Sequence, residues 1–144
     1  MMAGIRGKDT KPELTIRKGL FRKGLRYRTH VSALPGRPDL VFPRYGAAVF
    51  VHGCFWHGHG CVLFRWPSSN TLFWRQKITR NQVVDLRSRE SLLSTNWRVM
   101  TVWECSLKGP NRRPTDEVIA AVRTWLVGTA STGEITGLQR DESP

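Results

Sequence analysis

The sequence holds 144 residues, 40% of them hydrophobic, with six Trp and six Phe. That is one domain's worth of chain with enough apolar mass for a core, which excludes a large multidomain enzyme and a disordered polymer. Twenty-three Lys and Arg against eleven Asp and Glu leave a net charge of +12, so the expected partner is a polyanion, nucleic acid first.

Residues 11–23 read as the first helix. Thr10 and Glu13 have the spacing of a capping box, Leu14, Ile16, Leu20 and Phe21 supply apolar cover, and Gly24 ends it. Residues 25–30 form a short alternating strand, and Leu34-Pro35-Gly36-Arg37-Pro38 is a turn whose prolines exclude helix. Residues 40–42 and 47–51 are apolar runs split by Pro43-Arg44-Tyr45-Gly46, a hairpin of two buried strands with Asp39 and His52 at its open end. Residues 53–70, rich in Gly, Pro, Ser, Cys and His, fit no regular element yet are too aromatic for a linker; such a loop wants a staple or a ligand. From 71 to about 95 the pattern is helical, read as two pieces. Residues 97–103 follow as a buried strand. Residues 115–127 make the clearest helix, with Thr115 as cap, Val118, Ala121, Val122, Trp125 and Leu126 on one stripe, and Gly128 as stop. The expected organisation is a single domain over 1–128 with a flexible tail over 129–144, and the fold class is α/β, a small sheet flanked by helices.

No stretch approaches the roughly 20 apolar residues of a membrane helix, and the amino terminus lacks a signal-peptide core. A soluble intracellular chain without membrane partners is therefore expected. Its three cysteines, an odd number, suit reduced thiols or a metal better than a disulfide framework.

Charge placement narrows the candidates. Residues 1–84 carry 15 basic and 3 acidic side chains, residues 85–144 eight of each. Asp9, Glu13 and Asp39 stand out, because an acid in a phosphate-attracting field serves a helix cap or a metal. Asp39, His52, His57 and Glu13 together have the makings of a hydrolytic Mg²⁺ site: an oxygen ligand for the metal and a near-neutral proton acceptor for water. Each also has a plainer use, Asp39 in a turn, Glu13 in a cap and the histidines in packing. Cys54, His59, Cys61 and Cys105 could supply the four corners of a closed, structural zinc site, although spacing alone leaves buried structural cysteines equally open. Phe55 and Trp56, adjacent in the loop, can hardly both enter one core and suit a wedge between base pairs. Trp74, Lys77 and Asn81 share a helix face on which a ring, a cation and an amide would meet the same few base pairs. For Trp74 alone, packing is the simpler use.

These residues resemble the very-short-patch repair (Vsr) endonucleases, which nick DNA at T:G mismatches left by deamination of 5-methylcytosine. The likeness runs from about Met2 to Val127 and rests on Arg6-Gly7-Lys8-Asp9-Thr10 leading to Glu13, Leu34-Pro35-Gly36-Arg37-Pro38-Asp39, His52-Gly53-Cys54-Phe55-Trp56-His57, Phe73-Trp74, and Trp97-Arg98-Val99 running to Val102-Trp103-Glu104-Cys105. It implies a restriction-endonuclease-like fold with a mixed central sheet and a zinc-stapled loop. Carried over residue by residue, it implies that Asp39 and the main-chain carbonyl of Val51 hold Mg²⁺, that His57 is the general base, that His52 assists at the phosphate, and that Glu13 orients His57 or a metal-bound water. Cys54, His59, Cys61 and Cys105 take the place of structural Zn²⁺ ligands. Phe55, Trp56 and Trp74 take that of intercalating rings, Lys77 and Asn81 that of contacts to the mismatched pair, and Met2 that of an inserting residue on a short amino-terminal arm. The implied enzyme is a bacterial cytoplasmic monomer, nucleoid-associated when acting on mismatched double-stranded DNA, with a mismatch-repair protein as candidate partner. Cleavage at another deaminated base such as hypoxanthine, or at a fixed sequence, and a non-catalytic zinc-containing DNA-binding module are the alternatives.

Overall fold

The computed structural model describes residues 9–139. Thr10 caps α1 (Lys11–Arg22), its Oγ1 accepting the Glu13 N–H at 3.3 Å. The chain then runs through β1 (Arg28–Thr29), β2 (Leu40–Phe42) and β3 (Ala47–His52), with a 3-10 turn at Pro43–Tyr45 between the last two. Next come α2 (Thr71–Ser94), β4 (Arg98–Trp103), α3 (Thr115–Val127) and β5 (Thr132–Ile135). The five strands lie in the order β1-β2-β3-β4-β5, antiparallel through β3 and parallel beyond it. This is the mixed sheet that the resemblance implies. Among the described residues no helix is long and apolar enough to cross a membrane.

Successive residues of a strand point to opposite faces, and β3 is apolar on both. Ala47 and Val49 pack with Ile16, Leu20, Val118, Val122 and Leu126 from α1 and α3. Ala48 and Phe50 pack with Leu92 of α2 and Val99 of β4. Helices thus cover both faces, as parallel pairing requires. A Cβ on Gly19 would stand 2.5 Å from Ile119 Cδ1, so glycine is what lets α1 approach α3.

The α2 face of the sheet carries the chemistry. By alternation His52 follows Ala48 and Phe50 onto it. The registers His52↔Trp103 and Thr101↔Glu134 place Trp103 and Glu134 on the same side. Asp39 immediately precedes Leu40, which pairs with Val49, so Asp39 falls opposite Phe50.

The structure corrects several element boundaries. α2 is one continuous 24-residue helix rather than two pieces. Its apolar residues fall on no single stripe because the sheet takes only part of it: Leu72, Phe73, Val83, Val84 and Leu86 are exposed while Ile78 and Leu92 are buried. β1 covers two residues instead of six, Leu25 turning into the core. Pro114, not Thr115, occupies the cap position of α3. The expected flexible tail does not begin at 129, since β5 pairs with β4, buries Ile135 and accepts the Trp125 indole N–H on the Thr132 carbonyl at 2.9 Å. A four-residue strand with one buried side chain leaves no periodicity to read.

Candidate active site and metal centre

A cleft of about 1490 Å³ opens on the α2 face; Asp39, Val51, His52, His57, Asp85 and Trp103 line it. Asp39 is 7% exposed. Its Oδ2 accepts the Val51 N–H at 2.7 Å across the mouth of the hairpin. Burial raises its pKa to about 7, the Val51 N–H works against that rise, and the charge of nearby Glu13 adds to it. A hard divalent cation at this carboxylate would reverse the shift, and an oxygen ligand is the donor such a cation takes.

His52 and His57 stack with ring centroids 3.8 Å apart and planes 15° from parallel. Burial and then the neighbouring His57 push His52 down to about 3, so it is neutral at physiological pH. His57 Nδ1 lies 2.5 Å from Asp85 Oδ2, and His52 Nε2 lies 3.8 Å from Asp85 Oδ1. A carboxylate on Nδ1 favours the tautomer with its proton there and leaves Nε2 free to accept one. Asp85 belongs to none of the residues singled out in the sequence. The available signal was its spacing: it follows Lys77 and Asn81 at intervals of four, on their face of α2.

Glu13 has different company from that expected. It is 1% exposed, its Oε1 accepts the Asp9 N–H at 2.9 Å, and its Oε2 lies 2.7 Å from His30 Nε2 and 3.3 Å from Arg17 Nη1. Arg17 also binds Asp9 at 2.7 Å, and hydrogen bonding to Asp9 raises the guanidinium's pKa further. The carboxylate within hydrogen-bonding distance of His57 is that of Asp85. Glu13 lies instead beside His30, a further cleft residue not among the candidates above, whose backbone N–H binds the Asp39 carbonyl at 3.1 Å.

Cys54, His59, Cys61 and Cys105 offer four donor atoms that all lie within 4.8 Å of one another. His59 Nδ1 is 3.6 Å from both Cys54 Sγ and Cys105 Sγ. Tetrahedral zinc with bonds of about 2.0 Å to N and 2.3 Å to S sets N···S edges of about 3.5 Å, so these donors fit it. Burial pushes the Cys54 and Cys105 thiols up and the His59 imidazole down; a cation between them would draw out the thiolates. The Leu63 and Gly137 N–H groups point at Cys61 and Cys105 Sγ at 3.4 and 3.3 Å, and Glu104 Oε1 accepts the Cys54 N–H at 3.1 Å.

Phe55, Trp56 and Trp74 form one edge-to-face cluster with centroids 5.2 to 5.7 Å apart, all half-buried. Asn81 donates to the Trp56 carbonyl at 2.8 Å, and Gln82 Nε2 to the Gly58 carbonyl at 3.2 Å. The amino-terminal half of α2 therefore carries the loop rather than the sheet. Lys77 is exposed at the cleft. Met2 lies outside the described residues.

A sequence model of the family described as DNA mismatch endonuclease Vsr matches residues 1–63. The DNA mismatch endonuclease Vsr of Escherichia coli is 37% identical over 134 residues, 93% of this chain and 86% of the relative. The type II nicking enzyme V.NmeAIP of Neisseria meningitidis is 45% identical over 75% of the chain and 77% of its own length. V.XorIIP of Xanthomonas oryzae is 45% identical over 74% and 79%. The chain belongs to the Vsr endonuclease family.

A Vsr-family DNA endonuclease must hold one phosphodiester beside a proton acceptor. The cleft supplies a neutral His52, a carboxylate-backed His57 and Asp39 on the same sheet face. Three of the residues in its wall, Val51, His52 and Trp103, are held by strand backbone, Asp39 stands at the entry to β2, and His57 and Asp85 are held by the loop and the helix that carries it. The Cys54, His59, Cys61, Cys105 cluster and the cleft are neighbours in sequence as well as in space: Cys54, His57 and His59 share one loop.

Proposed function

We propose that this Vsr-family endonuclease nicks one strand of duplex DNA on the 5′ side of the thymine in a T:G mismatch, using Mg²⁺ at Asp39 and the Val51 carbonyl and Zn²⁺ at the Cys54, His59, Cys61, Cys105 cluster. The observation that carries the reading is the Asp85–His57 pair stacked on a neutral His52, in the cleft that also receives Asp39. Bound Mg²⁺ would neutralise charge on the scissile phosphate. His57 Nε2 takes the proton of the attacking water as its oxygen bonds to phosphorus and the P–O bond to the leaving strand breaks. Asp85 stabilises the imidazolium so formed, and neutral His52 supports the phosphate without adding a second charge beside it.

The lesion preference follows from the ring cluster. Wedging Phe55, Trp56 and Trp74 into a stack costs a few kcal/mol, least where pairing is already poor. The E. coli relative is named a mismatch endonuclease and the Neisseria and Xanthomonas relatives type II nicking enzymes. A fixed sequence is thus the second substrate class, and mismatch panels need varied flanks. The test is a set of end-labelled duplexes, matched, T:G and hypoxanthine-containing, with Mg²⁺ and the cut site mapped. A single nick 5′ of thymine in the T:G duplex alone is expected, abolished by Asp39→Ala with binding kept. Equal nicking of the matched duplex would overturn the lesion preference. Binding without nicking of any member would leave a DNA-binding module.

A further inference from the structure

Four carboxylates line the cleft, at Asp39, Asp85, Glu104 and Glu134. In a groove that takes a polyanion each of them repels its ligand, so each needs a local use. Asp39 accepts the Val51 N–H, Asp85 holds His57, and Glu104 accepts the Cys54 N–H. Glu134, in β5, accepts the indole N–H of Trp103 at 2.6 Å on Oε2.

Trp103 stands where the two centres meet. Its ring stacks on His59 with centroids 4.0 Å apart and planes 8° from parallel. Its other neighbours are His52 at 5.3 Å and His57 at 6.2 Å between centroids. Two residues further on, Cys105 joins the metal cluster. An indole free to turn about its side-chain torsions would leave all three imidazoles without a fixed wall; a single short hydrogen bond to a strand on its far side removes that freedom.

We propose that Trp103 and Glu134 are positioning residues: Glu134 fixes the plane of the Trp103 ring, and that ring in turn sets the planes of His59 and of the His52–His57 stack. The last strand of the sheet thereby acts on the catalytic geometry through Trp103, an inference that rests on the reading of His57 as the base.

Glu134 is exposed, so its variants should fold, and thermal denaturation checks that they do. Glu134→Ala is expected to lower kcat for nicking about 10–100-fold with KM unchanged, the range seen when a supporting partner is lost and a reacting group drifts. Glu134→Gln, which keeps an acceptor for the indole but not the charge, should recover most of that loss. Trp103→Phe, which keeps a ring but not its N–H, should match Glu134→Ala, and the double variant should be no worse than either. Independently of activity, the imidazole ¹H–¹³C resonances of His52, His57 and His59 should move in Glu134→Ala and return in Glu134→Gln, with zinc content unchanged. A wild-type rate in Glu134→Ala, equal losses in the Ala and Gln variants, unmoved imidazole resonances or a loss confined to KM would overturn the proposal. A His57→Ala protein that still nicks would instead remove the base reading beneath it.

Discussion

At the scale of single residues the cleft turns on one carboxylate that contacts two imidazoles. Asp85 lies 2.5 Å from His57 Nδ1 and 3.8 Å from His52 Nε2, and these two contacts define different experiments. His57→Ala removes the proposed proton acceptor and should cut the nicking rate about 10²–10⁴-fold. Asp85→Asn leaves the acceptor in place but weakens its orientation and its charge support, so the expected loss is smaller, about 10–100-fold. Single-turnover nicking measures both, and a gel-shift assay should find duplex affinity kept in each. A larger defect in Asp85→Asn than in His57→Ala would reverse the roles. Asp39 and His52 were legible as candidates because they flank a hairpin whose pairing brings its ends together, and His57 because it lies in the loop that follows. Asp85 was not, because an acid on a helix with more basic than acidic residues reads as ordinary surface; only its spacing from Lys77 and Asn81 marks the shared face. Glu13 shows the opposite failure: its place near the site was legible, whereas its partner His30 depends on how α1 packs under the hairpin, which no local pattern encodes.

Among the elements, α1, the hairpin and α3 were readable because each pairs a clean apolar pattern with a terminating Gly or Pro. α2 and β5 were misread for one physical reason: their partners are loops and neighbouring strands rather than a helix-wide core face. β5 makes this testable. Ile135 is buried against the α1 and α3 side of the sheet, and Gly133 leaves room for Met100 and Trp125, whose atoms would lie 2.8 Å from an added Cβ. Ile135→Ala should therefore cost about 2–4 kcal/mol, as for other large-to-small core changes, read from denaturant unfolding. A fraying tail would show no change. The loop over 53–70 depends on a different anchor. Removing the proposed zinc by chelation and then restoring Mg²⁺, or substituting Cys105→Ser, should free the loop while leaving the helices, so far-UV circular dichroism holds, proteolysis within the loop accelerates, and DNA affinity and nicking fall together because Phe55, Trp56 and His57 all ride on it. Chelation that abolished nicking but left loop proteolysis and affinity untouched would place the metal's contribution in catalysis alone.

For the molecule as a whole, the charge asymmetry and the buried site imply that binding and chemistry respond differently to salt. The excess of cations lies in residues 1–84, and exposed ones such as Lys77 and Arg37 stand at the cleft. Neutralising a phosphate with such a side chain releases condensed counterions, so a footprint of about 6–10 phosphates weakens affinity about 10³–10⁵-fold between 50 and 200 mM salt. The contacts proposed to perform the step are another matter. Asp39 is buried against backbone, and the His57–Asp85 pair is held at 2.5 Å, far inside a screening length of about 8–10 Å. Once enzyme is saturating, the nicking rate should therefore stay nearly flat over the range in which the apparent Kd collapses. Arg37→Ala should lower the slope of log Kd against log salt by about one and leave the saturated rate alone. Binding isotherms and single-turnover rates across a salt series decide the matter: a saturated rate that falls in parallel with affinity would mean that mobile surface charge, rather than the preorganised cleft, holds the scissile phosphate in place.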